Sequence, residues 1–286
     1  MPTFYDTHAH LDFPDFASEV PEVICRAEAA GIKKIISIGI DLESSKRAVS
    51  LADEYPNVYA AVGWHPSYAS KAPEDLRPAL RELARHPKVV ALGETGLDYY
   101  RLRKPLSHEA PQDPGFHRTP ETVAVQNQQY KEKQADLFRQ HLEVAAETGL
   151  NCVIHQRESL EDILTQFEPF AARVRGVFHC FSESVPALHR IVALNSLVSF
   201  TGILTFKSGT NARDALAATP MGKFMLETDS PFLAPTPYRG KRCEPAYVKE
   251  IAEVAAHIKQ CSGEELSAAT CKTAEGFFRG LAKAGF

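Results

Sequence analysis

Short runs of β-branched and apolar residues alternate with stretches whose apolar side chains recur every three or four positions, almost from one end of the chain to the other. A short apolar run bounded by turn residues reads as a buried strand, and the longer recurrence as an amphipathic helix. Strands are expected at 3–8, 33–39, 58–63, 89–94, 151–155, 174–178, 197–201 and 224–229. Helices are expected at 20–30, 42–55, 73–86, 122–148, 160–170, 186–194 and 212–218, with a last amphipathic pair at 244–260 and 263–282. Eight strands alternating with helices predict a parallel sheet with crossover helices, and at 286 residues the pattern fits a TIM-type (β/α)8 barrel forming a single domain over 1–286. A doubly wound open sheet is the alternative, but it would carry a Gly-rich phosphate turn after its first strand. Here that turn is His8-Ala9-His10.

One stretch breaks the rhythm. Residues 101–125 are polar, proline-rich and too long for an ordinary strand-to-helix connection, so they read as an insertion after strand four, either a lid over the site or a tolerated surface excursion.

Composition narrows the function classes. With 44% hydrophobic and 24% charged residues the chain can bury a large core, and a formal net charge of −4 leaves no global basic footprint of the kind that dominates many nucleic-acid binders. Any polyanion must be held locally, by metal and a few arginines. The six cysteines are scattered without a Cys-x-x-Cys pair, several within apolar runs, which reads as reduced, buried thiols and predicts a cytoplasmic protein. The first strand begins too early for a cleavable signal, and no apolar run reaches membrane-spanning length.

The candidate chemistry lies at the strand ends. In an extended strand alternate side chains share a face, so His8 and His10 project together with Asp6 behind them. Strand four closes on Glu94, strand five on His155, strand six on His179 and strand eight on Asp229. A barrel brings those ends to one mouth. Singly, a histidine ending an apolar strand reads as a hydrogen-bonded core residue, but buried carboxylates are costly without partners, and five strands ending in ligand-type residues point to metal. Six nitrogen and oxygen ligands exceed what one open zinc site needs and suit two divalent ions bridged by Glu94. The mixed donor set admits Mg, Mn, Zn, Co or Ni. His86, His108, His117, His141, His189 and His257 fall in loops or helical patterns and are assigned no role.

These residues sit in motifs: Asp6-Thr7-His8-Ala9-His10-Leu11, Gly63-Trp64-His65-Pro66, Gly93-Glu94-Thr95-Gly96-Leu97-Asp98-Tyr99, Ile154-His155-Gln156-Arg157, His179-Cys180-Phe181-Ser182 and Glu227-Thr228-Asp229-Ser230-Pro231. In content and order they resemble the TatD family of metal-dependent hydrolases, often described as DNases, within the amidohydrolase-like barrels. The Gln134 to Gln140 stretch is similar to the family's Gln-x3-Phe-x-x-Gln pattern. The resemblance implies His8, His10, Glu94 and Asp229 on one metal, and Glu94, His155 and His179 on the other. Three positions depart from the family's usual residues: Gln156 for serine, Cys243 for asparagine and Ala274 for asparagine. They leave the ligands intact and bear on substrate preference.

Two further residues are candidates for substrate contact. His65 ends strand three, where a Trp-His-Pro turn could equally be structural. Arg157 offers a planar fork for phosphate, unless it pairs with Glu158 or Glu161. Glu227 shares a strand face with Asp229 and is expected to orient ligands. The expected function is phosphodiester hydrolysis of DNA, exonucleolytic on single-stranded ends, with a metal-bound hydroxide attacking phosphorus, Asp229 managing its proton and Glu94 bridging the ions. The alternative is a small-molecule amidohydrolase, esterase or lactonase on the same site, although many relatives of that type use a carbamylated lysine on strand four where this chain has Glu94. A barrel retained only for binding or scaffolding would be expected to have lost at least one of the six ligands. No obligate protein partner is evident.

Overall fold

A computed structural model describes residues 2–100, 102 and 120–283. Eight strands, β1 (Phe4–Ala9), β2 (Ile32–Ile38), β3 (Val58–Val62), β4 (Val89–Asp98), β5 (Asn151–Arg157), β6 (Gly176–Phe178), β7 (Leu197–Phe200) and β8 (Phe224–Leu226), pair in chain order. Every pairing is parallel, and a parallel bridge between Ala9 and Ser230 joins the last strand's continuation to the first. The architecture is the TIM-type (β/α)8 barrel; a doubly wound sheet would reverse its strand order at a switch point.

Around the strands run α1 (Val20–Ala29), α2 (Leu42–Glu54), α3 (Arg77–Leu83), α4 (Pro120–Thr148), α5 (Leu160–Phe167), α6 (Val185–Ala193), α7 (Thr210–Ala218), α8 (Val248–Lys259) and α9 (Gly263–Phe277). Local chemistry sets several boundaries. Asp41 caps α2 by accepting the Ser44 N–H, and Ser262 and Glu265 form a reciprocal capping box at α9. Gln260, in the left-handed region, stops α8.

Several boundaries differ from expectation. The 73–86 helix shrinks to α3, because the segment before it is held by α4: the Leu76 N–H donates to the Gln140 side-chain Oε1 and Gln140 Nε2 donates to the Glu74 backbone carbonyl. The 244–260 helix begins only at Val248, after a 3₁₀ turn at Pro245–Tyr247. Strand β8 stops at Leu226, so Asp229 lies three residues beyond it, in the segment that closes the barrel. In the insertion, residues 101 and 103–119 lie outside the described residues, and 120–125 are the opening turns of α4 rather than loop. All six cysteines are free, and Cys152 and Cys243 are buried, but Cys25 is exposed on α1, contrary to the expectation of buried thiols.

The core has two parts. One fills the space between helices and sheet. The other fills the lower barrel with Ile36, Ile38, Tyr59, Val90, Val153, Val177, Leu197 and Met225, closed from below by Phe277, Phe278 and Leu281. That packing gives the site at the opposite end a solid floor.

Candidate metal centre

The site is built where the barrel closes. The buried Asp6 carboxylate accepts the Thr228 N–H and hydroxyl at 2.9 and 2.6 Å and the His8 N–H at 3.3 Å. The Asp229 N–H donates to the His8 carbonyl, and the His10 N–H to the Ser230 carbonyl. These bonds place His8, His10 and Asp229 against one another. Asp229 has φ +58, a conformation that aspartate tolerates better than most side chains and that is concentrated at functional sites.

All six expected ligands meet around Glu94. Its Oε2 lies 3.4 Å from His8 Nε2 and 3.8 Å from His10 Nε2, while Asp229 Oδ1 lies 3.6 and 3.5 Å from the same two atoms. Its other oxygen, Oε1, lies 2.8 Å from both His155 Nδ1 and His179 Nε2, which are 3.3 Å apart. Four ligands arranged tetrahedrally about 2.0–2.2 Å from an ion are separated by roughly 3.3–3.6 Å, so the first set already has metal-site spacing. Three overlapping triads have ligand atoms within 4.8 Å of one another: His8, Glu94 and His179; His8, His10 and Asp229; His65, Glu94 and His155.

Tautomers show that the donors fit an ion. His10 Nδ1 faces the Ile38 carbonyl at 3.1 Å, and a carbonyl only accepts, so Nδ1 carries hydrogen and Nε2 presents a lone pair to two carboxylates. His155 Nε2 faces Asp98 Oδ2 at 3.2 Å, which turns the Nδ1 lone pair toward Glu94. Both ring nitrogens of the fully buried His8 lack a hydrogen-bond partner. Lone pairs aimed at carboxylates repel unless a proton or a cation stands between them. Buried polar atoms are rarely orphaned, and divalent ions would take up the inward lone pairs of His8 Nε2, His10 Nε2 and His155 Nδ1.

Charge coupling is strong. Burial opposes ionisation of Glu94, but the imidazoles of His65 and His179 outweigh it and hold the carboxyl well below the usual range. Burial likewise opposes charge on His179, yet Glu94 and Glu227 carry it well above the ordinary imidazole value. Metal binding therefore displaces protons.

His65 differs from the others. The backbone N–H of Ser67 donates to its Nδ1 at 3.0 Å, so the neutral ring carries hydrogen on Nε2, which points at Glu94 Oε1 from 3.3 Å. Burial keeps the ring neutral by lowering its pKa. His65 is thus preset as a donor and is poorly suited to coordinate through Nε2. Arg157 stands at the rim of the same pocket, a cavity of about 440 Å³, with its guanidinium 3.6 Å above the Tyr100 ring. Glu161 is occupied by Arg190, and among the described residues no carboxylate pairs with Arg157.

The TatD related DNase family model matches residues 5–279. The metal-dependent hydrolase YabD of Bacillus subtilis is 36% identical over 276 residues, covering 96% of this chain and 98% of its own. The chain belongs to the TatD family. It is therefore a metal-dependent hydrolase, and the His, Glu and Asp clusters can hold one or two divalent ions. Another TatD relative, the 3′-5′ ssDNA/RNA exonuclease TatD of Escherichia fergusonii, is 30% identical over 94% of this chain and 95% of its own. The crystal structure of YjjV, a TatD homolog from Escherichia coli, superimposes with a TM-score of 0.82 at 27% identity, covering 96% of this chain and 97% of that one.

In this TatD protein several supporting residues escaped sequence reading. Asp98 lies in the Gly93–Tyr99 motif; β4 extends to it, and period-two alternation from Glu94 puts both carboxylates on one face. Gln134 accepts the Asp98 N–H and donates to the Asp98 carbonyl, fixing that peptide at both ends. His141 was assigned no role, but it is fully buried and its Nε2 accepts the Trp64 N–H, anchoring the strand end that carries His65. Glu227 faces the candidate ligand His179: its Oε1 lies 3.5 Å from His179 Nδ1 and accepts the Cys180 N–H at 2.7 Å. Of the unassigned histidines, His86 pairs with Asp53. His108 and His117 lie outside the described residues. No helix among the described residues is long and apolar enough to cross a membrane.

Proposed function

We propose that this TatD hydrolase is a deoxyribonuclease that trims single-stranded ends, with His8, His10, Glu94 and Asp229 holding one divalent ion and Glu94, His155 and His179 a second. The observation that carries the reading is the combination, in one pocket, of a carboxylate-bridged double ligand set, a preset N–H donor and an arginine without a carboxylate partner among the described residues. Divalent ions bound there would supply an activated water and neutralise charge on the attacking and leaving oxygens.

The chain's own groups have distinct tasks. Asp229 is the proton acceptor: its side chain is 15% exposed and lines the pocket, whereas Glu94 is only 3% exposed and committed on both oxygens. His65 Nε2–H donates to a phosphate oxygen. Arg157, kept flat by Tyr100, offers its fork to a second phosphate. The chain's net charge of −4 argues against long duplex contacts, because few phosphates can be neutralised. A frayed strand end can enter this cavity and a rigid duplex cannot. The exonuclease relative, matched over 94% of this chain, supports the same substrate class.

The test is digestion by purified, metal-loaded protein of end-labelled single-stranded DNA and closed circular duplex, beside lactone and amide substrates. Stepwise, chelator-sensitive trimming is expected, with a shallow salt slope and a larger effect of Arg157→Ala on oligonucleotides than on a minimal phosphodiester. Rapid internal cutting of the circle would overturn the end-directed reading, and lactone or amide hydrolysis without DNA cleavage would overturn the nuclease.

A further inference from the structure

The pocket has two unlike walls. Toward β5 and β6 it presents Gln156, Arg157 and Ser182; toward β1 and β8 it presents Phe13, Phe232 and Leu233. Among the described residues the exposed aromatic side chains are Tyr68, Tyr100 and Phe232, at 38, 51 and 50%. All three stand at the barrel mouth. Tyr100 is covered by Arg157, and Tyr68 meets His65 edge-on.

Phe232 is the free one. Its ring partners, Phe13 at 5.9 Å and His10 at 6.3 Å, lie at 82° and 69°, so among the described residues no aromatic ring stacks parallel to it. Phe13, by contrast, is already stacked on His10 at 4.6 Å. The backbone under Phe232 is fixed: its N–H donates to the Asp229 carbonyl, and the Pro231 carbonyl accepts the Cys243 N–H. An apolar ring is thus held half in solvent, three residues from Asp229 and within one nucleotide's reach of the clustered ligands.

Solvent-exposed aromatics beside a phosphate-handling site are the usual means of gripping unpaired bases, since every base has a flat π-face whatever its sequence. We propose that Phe232, braced edge-on by Phe13, is the stacking platform for the base adjoining the scissile phosphate. This rests on the nuclease reading above and deepens it: the enzyme grips the terminal nucleotide by its base, on the wall opposite Arg157. The grip is sequence-tolerant, because stacking uses the π-face that every base shares.

The experiment compares kcat/KM on single-stranded DNA whose terminal nucleotide carries a base or is abasic. The base-bearing end should be preferred by about 10- to 100-fold, the range that one aromatic–base stack supplies. Phe232→Ala should shrink that ratio about tenfold or more, chiefly through KM, and Phe232→Trp should keep it. Phe232→Leu, which retains bulk without a π-face, should behave like alanine and covers the case in which the alanine variant fails to fold. A 2-aminopurine at the end of a cleavage-resistant phosphorothioate strand should be quenched on binding wild type and Phe232→Trp but not the leucine variant. An unchanged ratio in both Phe232→Ala and Phe232→Leu overturns the platform while the nuclease stands. Absence of cleavage of either strand by wild type overturns the reading beneath it.

Discussion

His141 makes the barrel sensitive to acid through a group that touches no ligand. Its Nδ1–H donates to the Leu137 carbonyl at 2.7 Å and its Nε2 accepts the Trp64 N–H at 3.0 Å, so a second ring proton would confront a backbone donor. Burial is the main cause of its depression from 6.5 to about 4, against the raising effect of the Leu137 carbonyl. The unfolded chain then binds the proton below pH 6.5 while the folded one refuses it until about pH 4. Stability is therefore intact above 6.5 and declines as pH falls through that window. At 1.36 kcal/mol per unit, the full loss is about 3 kcal/mol, of which about 2.5 kcal/mol is reached by pH 4.5. Replacing the ring by leucine removes the titration but orphans the Trp64 N–H, a cost of about 1–3 kcal/mol at neutral pH. The assay is urea denaturation of wild type and His141→Leu from pH 7.5 to 4.5. Titration of the ligand histidines is common to both proteins and cancels in the difference. Wild type should be the more stable at pH 7 and should lose that advantage near pH 4.5. Parallel profiles would show that the folded barrel does not hold His141 neutral.

Three other outcomes follow from the centre. Glu94→Ala should release both ions together, seen as metal per chain by mass spectrometry; retention of one tightly bound ion would show that the carboxylate does not bridge. Asp229→Asn, with metal content restored, should lose about a hundredfold or more in kcat with little change in KM, the usual scale for a missing general base, and near-normal turnover would remove it from that role. Asp98→Ala should weaken metal binding about 10- to 100-fold in a chelator competition, because His155 loses the acceptor that sets its tautomer, whereas Asp98→Asn should recover part of it. Equal affinities in wild type and Asp98→Ala would mean that His155 is oriented by packing alone.

Much of this was legible along the chain. Alternating apolar runs and helical stretches report burial, which is local in its demands, and eight such units leave few topologies once parallel strands need crossovers. The candidate ligands were legible too, because each lies in or just beyond an apolar run where a polar side chain has no packing reason to be. The boundaries that moved are those where distant groups intervene. Gln140 on α4 holds the segment before α3, and Asp6 with Thr228 shapes the chain beyond β8, so that Asp229 comes from the closure and not from a strand.

The chain order of residues determined that a barrel would form and that His8, His10, Glu94, His155, His179 and Asp229 would approach one mouth. Only the tertiary structure decided what each imidazole presents there. A histidine's tautomer is set by whichever donor or acceptor lies beside its other nitrogen: the Ile38 carbonyl for His10, Asp98 for His155, the Ser67 N–H for His65. Two of these turn lone pairs inward, as a metal would need, and the third turns a hydrogen inward as a donor. Side chains of one type thus acquire opposite chemistry from partners as distant as 57 positions or as near as two. Hydrogen-bond direction at an imidazole is a property of the folded neighbourhood, and no residue type encodes it.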